Sequence, residues 1–372
     1  MEQIKAFHLK KGILLLSVFL LFSGCGKGQE GTTVTESRLI VGCTFTEEGI
    51  LYNNPNPPFR GKAEYLDYQT GAYMPLCDKV NCLHDNKECF AVYLGKASNI
   101  GRIGDKWYYL MFSFEEEMPG FYSCDLNGQN ERKIGNFEHS GLRTCLFFDD
   151  SCVTATRTPL LDAESGEWDA DHSVSAVYQY HFDTGEEELL WPEIEDGYYE
   201  IYGKYGDQLV CRKIKKEGYG ILEVLDLETG ELTRPLGDAK TQGPVSMNGN
   251  FFVCKLLEEG SLRAVELDLK SGEWSETAPE LAEASAFFWS PELKTGTIYE
   301  AGNRYKTYQY LEDGTCKLIR EEDDSTYRNV FVVRDELVIG ESYSDMEAQF
   351  RMAVQKKDDY LAGKNNWTVL EY

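Results

Sequence analysis

Val224-Leu225-Asp226-Leu227-Glu228-Thr229-Gly230-Glu231 reads as the end of one strand, a tight turn and the start of the returning strand. Aspartate at the end of an apolar run accepts amide N–H groups across the turn, threonine or serine does so more weakly, and glycine takes the positive φ that closes a hairpin. The same unit recurs at 64–71 (EYLDYQTG), 122–128 (YSCDLNG), 178–186 (YQYHFDTGE), 266–273 (ELDLKSGE) and 308–314 (YQYLEDG), with a degenerate copy at 354–363 (VQKKDDYLAG). The turn glycines Gly71, Gly128, Gly185, Gly230, Gly272, Gly314 and Gly363 are 57, 57, 45, 42, 42 and 49 residues apart.

A second turn precedes most of these tips. It stands at Gly104-Asp105, Asp149-Asp150, Gly206-Asp207, Gly249-Asn250 and Arg334-Asp335, each followed by an apolar run such as Leu209-Val210-Cys211. Two turns per unit mean four strands per unit, and a period of roughly 40–50 residues is that of a four-stranded propeller blade. The chain therefore resembles an all-β, single β-propeller over residues 38–372, most simply with seven four-stranded blades. The two long first intervals leave six or eight open. The run Arg38–Phe45 is expected to form either the first inner strand or the strand that closes the ring.

The N-terminus carries a different signal. Lys5, Lys10 and Lys11 precede the apolar run Ile13–Phe22, which is too short to span a bilayer, and Ser23-Gly24 places two small residues before Cys25. This segment resembles a bacterial lipoprotein signal with its lipobox, although Phe22 stands where that family usually has Leu, Val or Ile. The resemblance implies cleavage after residue 24, acylation of Cys25 by diacylglyceryl and palmitate-type chains, and attachment to the outer face of the cytoplasmic membrane; an ordinary secretory signal or an uncleaved anchor is the alternative. Residues 25–37, polar and rich in Gly and Thr, then serve as a flexible tether.

Composition narrows the partners. The chain has a formal net charge of −26, and loss of residues 1–24, with three lysines and one glutamate, makes it −28. Such a surface repels phosphates, so no nucleic-acid partner is expected. The acidic stretch 162–172 (DAESGEWDADH) lacks the oxygen-ligand spacing of an EF-hand loop and reads as a solvated hairpin rather than a calcium site.

Chemistry concentrates in one loop. Cys77, Cys82, His84 and Cys89 follow the spacing C-x4-C-x-H-x4-C. Three thiolates and one imidazole make a sufficient tetrahedral set for a structural zinc ion, and Asp85 is placed to orient the imidazole. Disulfide formation, which an exported location favours, is the competing reading. The other cysteines argue against a disulfide framework: Cys211 and Cys254 take equivalent positions in different units, and Cys43, Cys124, Cys145, Cys152 and Cys316 lie in or beside strands, as small buried hydrophobes do. A lipobox joined to such a loop early in a propeller resembles a group of lipoproteins of Gram-positive anaerobes. That resemblance implies architecture and location, and no activity.

Enzyme and binding readings differ in what they need. Catalysis at the mouth of a ring needs convergent acids, bases or metal ligands, yet the mature chain's histidines, His84, His139, His172 and His181, share no motif. Neither a sialidase-type S-x-D-x-G-x-T-W box nor a G-x-S-x-G elbow is present. The expected function is thus a membrane-anchored binding or scaffolding module for a protein, peptide or cell-wall glycan, with a propeller enzyme of lactonase, lyase or hydrolase type as the alternative. Trp107-Tyr108-Tyr109 would contribute a glycan platform if exposed, and core if not.

Overall fold

The computed structural model describes residues 43–371 apart from 46–47, 55–61, 78, 87, 96, 98, 112–119, 137–141, 162–167, 196, 249, 278, 284–285, 291, 301–303, 312–314, 324–327, 335 and 345–348. Antiparallel strands dominate it, in consecutive four-strand meanders. We number these meanders I (43–75), II (99–136), III (142–195), IV (197–233), V (240–276), VI (286–323) and VII (328–369). Meanders IV and V are joined by one bridge, Gly220 opposite Thr241, into an eight-stranded sheet.

Each aspartate-glycine unit turns the third strand of a meander into the fourth, and each second turn joins the first strand to the second. Both sets of turns lie at one end of the strands, and a backbone bond ties them together. The amides of Tyr68, Phe182, Leu227, Leu269, Tyr310 and Lys357 donate to the carbonyls of Glu48, Asp150, Asp207, Asn250, Lys294 and Glu336, at 2.7–2.9 Å. The expected turn chemistry is in place: Asp226 Oδ1 accepts from the Thr229 amide at 2.7 Å and its hydroxyl at 2.9 Å, and Gly230 sits at φ +71°. The degenerate seventh unit differs, because a short helix, Lys357–Leu361, replaces its strand end. The unit at Gly314 and the turn at Gly249 lie partly outside the described residues.

Side chains from the two faces of each meander fill apolar seams with the neighbours on either side. Leu209 and Cys211 face meander III, where they meet Val153 and Trp191, while Val210 faces meander V and meets Phe252 and Cys254. A strand buried on both faces reads as a continuous apolar run, so the middle strands show no polar alternation. The outermost strand of meander V does the reverse: every residue of Glu273–Glu276 is exposed, with a glutamate at each end, which discourages edge pairing. The last seam joins the first and last meanders, with Ile50, Tyr52, Leu66 and Tyr73 of meander I packed on Ile339 and Met352 of meander VII. Cys43–Phe45 is the first strand of meander I and pairs with Gly49–Asn54; among the described residues no strand crosses from one end of the chain into the other's meander.

Candidate metal centre

The crossover from meander I to meander II, residues 76–98, leaves the strand ends opposite the tight turns. Leu76, buried in the I/II seam, donates its amide to the Ala63 carbonyl at 2.9 Å and fixes where the loop departs. Asn81 and His84 take left-handed φ values of +60° and +52°, which fold the loop back on itself. Lys79 Nζ donates to the Glu88 carbonyl at 2.6 Å across the neck of the loop. The Glu88 amide donates to Asn86 Oδ1 at 3.0 Å, and Cys89 then caps the short helix α1 (Phe90–Leu94), its carbonyl accepting from the Tyr93 amide at 2.9 Å.

The helix decides which cysteine is deepest. Cys89, Ala91 and Val92 are buried together, and the half-buried Cys77 and Cys82 pack against them. Their sulfurs and one imidazole nitrogen all lie within 4.8 Å of one another, and His84 Nδ1 stands 3.3 Å from Cys89 Sγ. Three sulfurs and one nitrogen around a tetrahedral zinc, with Zn–S of about 2.3 Å and Zn–N of about 2.0 Å, stand roughly 3.5–3.8 Å apart. The residues therefore fit such an ion with a contraction of an ångström or less.

Protonation leans the same way. The His84 amide N–H lowers the Cys82 thiol pKa, and burial followed by the charge of Lys62 lowers that of His84, favouring the neutral imidazole that binds metal. Burial pushes the Cys89 thiol up to about 11, the cost that a bound cation would offset. Asp85, expected to orient the imidazole, accepts instead from Asn86 Nδ2 at 3.0 Å and acts on His84 through its charge. Lys62 and Glu64 also reach His84 electrostatically. They form a 3.0 Å ion pair on the neighbouring strand, and Glu64, nearly fully buried, also accepts from the Tyr73 hydroxyl. No spacing rule picks them out; the only sequence signal is a charged pair in an otherwise apolar-alternating strand.

Other expected features fall elsewhere. Trp107, Tyr108 and Tyr109 are buried in the seams of meander II, which overturns the aromatic platform. Cys77, Cys82 and Cys89 are free thiols, as are Cys124, Cys145, Cys152, Cys211, Cys254 and Cys316. Cys124, Cys145, Cys152, Cys211 and Cys254 are core residues, and burial pushes Cys124 and Cys254 up to about 12. His181 Nε2 stands 3.7 Å from a Glu188 carboxylate oxygen beside a tight turn, at the opposite strand ends from those where the metal loop departs. Cys25 and residues 162–167 of the acidic hairpin lie outside the described residues, as does His139.

No family model matches the chain, and no curated protein matches it. Solved structures do. The β-propeller domain of the Trilobed protease from Pyrococcus furiosus, reported to have an open velcro topology, shares 12% identity over 90% of this chain and 98% of its own, with a TM-score of 0.51. The fold is a β-propeller. TolB from Acinetobacter baumannii (14% identity, 85% and 76% coverage, TM-score 0.38) and the acylaminoacyl peptidase of Pyrococcus horikoshii (15%, 79% and 48%, 0.46) are also similar. At such identities the likeness concerns fold and carries no activity to this propeller.

Proposed function

We propose that this chain is a seven-bladed β-propeller lipoprotein, held through acylated Cys25 on the outer face of the cytoplasmic membrane, that binds or scaffolds a protein, peptide or cell-wall glycan. In this reading Cys77, Cys82, His84 and Cys89 hold a structural zinc ion that clasps the crossover between the first two blades. The observation carrying it is the convergence of four soft donors in a loop whose role in the fold is to join two meanders. A complete Cys3His set leaves no open coordination position, which is the mark of a structural rather than a catalytic ion. When bound, the ion neutralises the gathered thiolates and cross-links the loop. The chain's own residues do the rest: α1 docks into the I/II seam, Asn53 Nδ2 donates to the Gly95 carbonyl at 2.9 Å, and the meander contacts position the connecting loops.

Metal analysis with thiol counting tests the clasp on the chain from residue 25 carrying Cys25→Ser, purified anaerobically. About one zinc per chain, lost in Cys82→Ser/His84→Ala, is the expected result. A metal-free chain with two thiols missing would replace the clasp by a disulfide. The mass of the natural chain extracted from membranes reports acylation at Cys25 separately.

A further inference from the structure

The described thiols divide by access. Cys124, Cys145, Cys152, Cys211 and Cys254 are shut inside the seams, whereas Cys77 and Cys82 are half-exposed on the metal loop. The half-buried Cys316 donates to the Glu280 carboxylate, and burial, followed by that bond, pushes its thiol up to about 11. Oxidants attack thiolates that they can reach. Sulfur chemistry among the described residues is thereby directed to the pair Cys77 and Cys82. A turn closed by the Cys82 amide on the Lys79 carbonyl at 3.2 Å separates them, and their sulfurs lie within 4.8 Å of each other. The Cys89 sulfur lies within the same 4.8 Å, but Cys89 is buried at the helix cap, which screens it from an oxidant in solution.

We infer that the clasp is an oxidant-sensitive release device: peroxide converts Cys77 and Cys82 to a disulfide and expels the metal. The inference rests on the zinc reading given above. One thiolate sulfur attacks a peroxide oxygen, the O–O bond breaks, and a sulfenic acid and hydroxide result. The second thiolate attacks the sulfenic sulfur, forming the S–S bond and releasing a second hydroxide. Two thiolates thus lose two electrons, and hydrogen peroxide gains them. Only Cys89 and His84 remain as donors, and two donors do not retain zinc against water. The bracing of the loop then passes to the Lys79–Glu88 bond and the α1 contacts. Val80 and Leu83, exposed at 88% and 81%, ride on this loop, so release changes how the most exposed apolar side chains of the described surface are presented.

The test treats the zinc-loaded chain from residue 25, carrying Cys25→Ser, with hydrogen peroxide while a chromogenic chelator reports free zinc and peptide mapping locates oxidised sulfur. Release of about one zinc with loss of two thiols, a Cys77–Cys82 disulfide, and recovery on adding dithiothreitol and zinc are expected. Cys77→Ser, itself short of one ligand, should form no such disulfide and leave Cys82 as the oxidised sulfur, and Cys316→Ser should behave as the natural sequence does. Zinc that stays bound through peroxide treatment, or that leaves while the loop cysteines remain reduced or become sulfinic acids without a disulfide, overturns the release device and spares the clasp. A chain that purifies without metal overturns the clasp itself.

Discussion

Gly128 shows how a single missing β-carbon couples the metal loop to the second meander. It sits at φ +83°, and a β-carbon there would stand 2.2 Å from the ring of Phe90, the first residue of α1. Gly230 has a similar φ of +71° with nothing within 4 Å of the same position. Gly230→Ala therefore carries only the left-handed penalty, about 1 kcal/mol, whereas Gly128→Ala adds the displacement of an aromatic ring for a total of roughly 2–4 kcal/mol. Urea unfolding of both variants measures the difference. The turn aspartates have a pH signature of their own. The amide and hydroxyl of Thr229 hold the Asp226 carboxyl below its usual pKa. A group whose pKa is depressed by folding stabilises most above its unfolded pKa, and that contribution fades as pH falls through the folded value. Asp226→Asn should melt lower than the natural chain at neutral pH, and the gap should close below the ordinary carboxylate range near pH ~4. A gap that stays constant with pH would show that the carboxylate charge plays no part in the turn.

At the scale of elements, the tips were legible because each needs a particular pair of residues, an aspartate to collect amides and a glycine to go left-handed. Spacing alone then implied two hairpins per unit. Strand faces were harder to read, because a meander buried on both sides hides its parity: Trp107, Tyr108 and Tyr109 all end in core although successive residues point opposite ways. The donor set of the metal loop was visible in one short stretch, whereas Lys62 and Glu64 reach it from another strand and obey no local spacing. The helix at Lys357–Leu361 was hidden as well, since its acidic first turn, Asp358-Asp359, mimics a turn signal. The loop's dependence on metal can be tested at this same scale. Among the described residues, the hydrogen bonds that cross 77–89 are chiefly those of Lys79, Cys82, Asn86 and Cys89, so a chelator should speed amide exchange there and in α1. Exchange in Lys106–Met111, bonded on both edges, should stay slow. Equal protection of 77–94 with and without chelator would mean that the loop holds its shape unaided.

At the largest scale, packing joins the first described meander to the last. Meanders IV and V share a backbone bridge, but VII meets I through side chains, chiefly Ile50, Tyr52, Leu66 and Tyr73 against Ile339 and Met352. Loop-closure entropy grows only slowly with chain length, so joining residues this far apart in sequence is affordable once the seam is apolar and well packed. The seam forms late in such a topology, because its contacts have the greatest sequence separation. Met352 is fully buried at its centre, while Leu267 is equally buried in the IV/V seam. Met352→Ala and Leu267→Ala should each cost about 2–5 kcal/mol, but by different routes. Removing Leu267 weakens a seam that the Gly220–Thr241 bridge still pins, so unfolding stays a single transition. Removing Met352 weakens a seam with no such pin among the described residues, so amide exchange should rise selectively in Gly49–Asn54 and Gln349–Lys356 below the global transition. Uniform loosening of meanders I to VII in Met352→Ala would instead mean that this seam opens only as the fold unfolds.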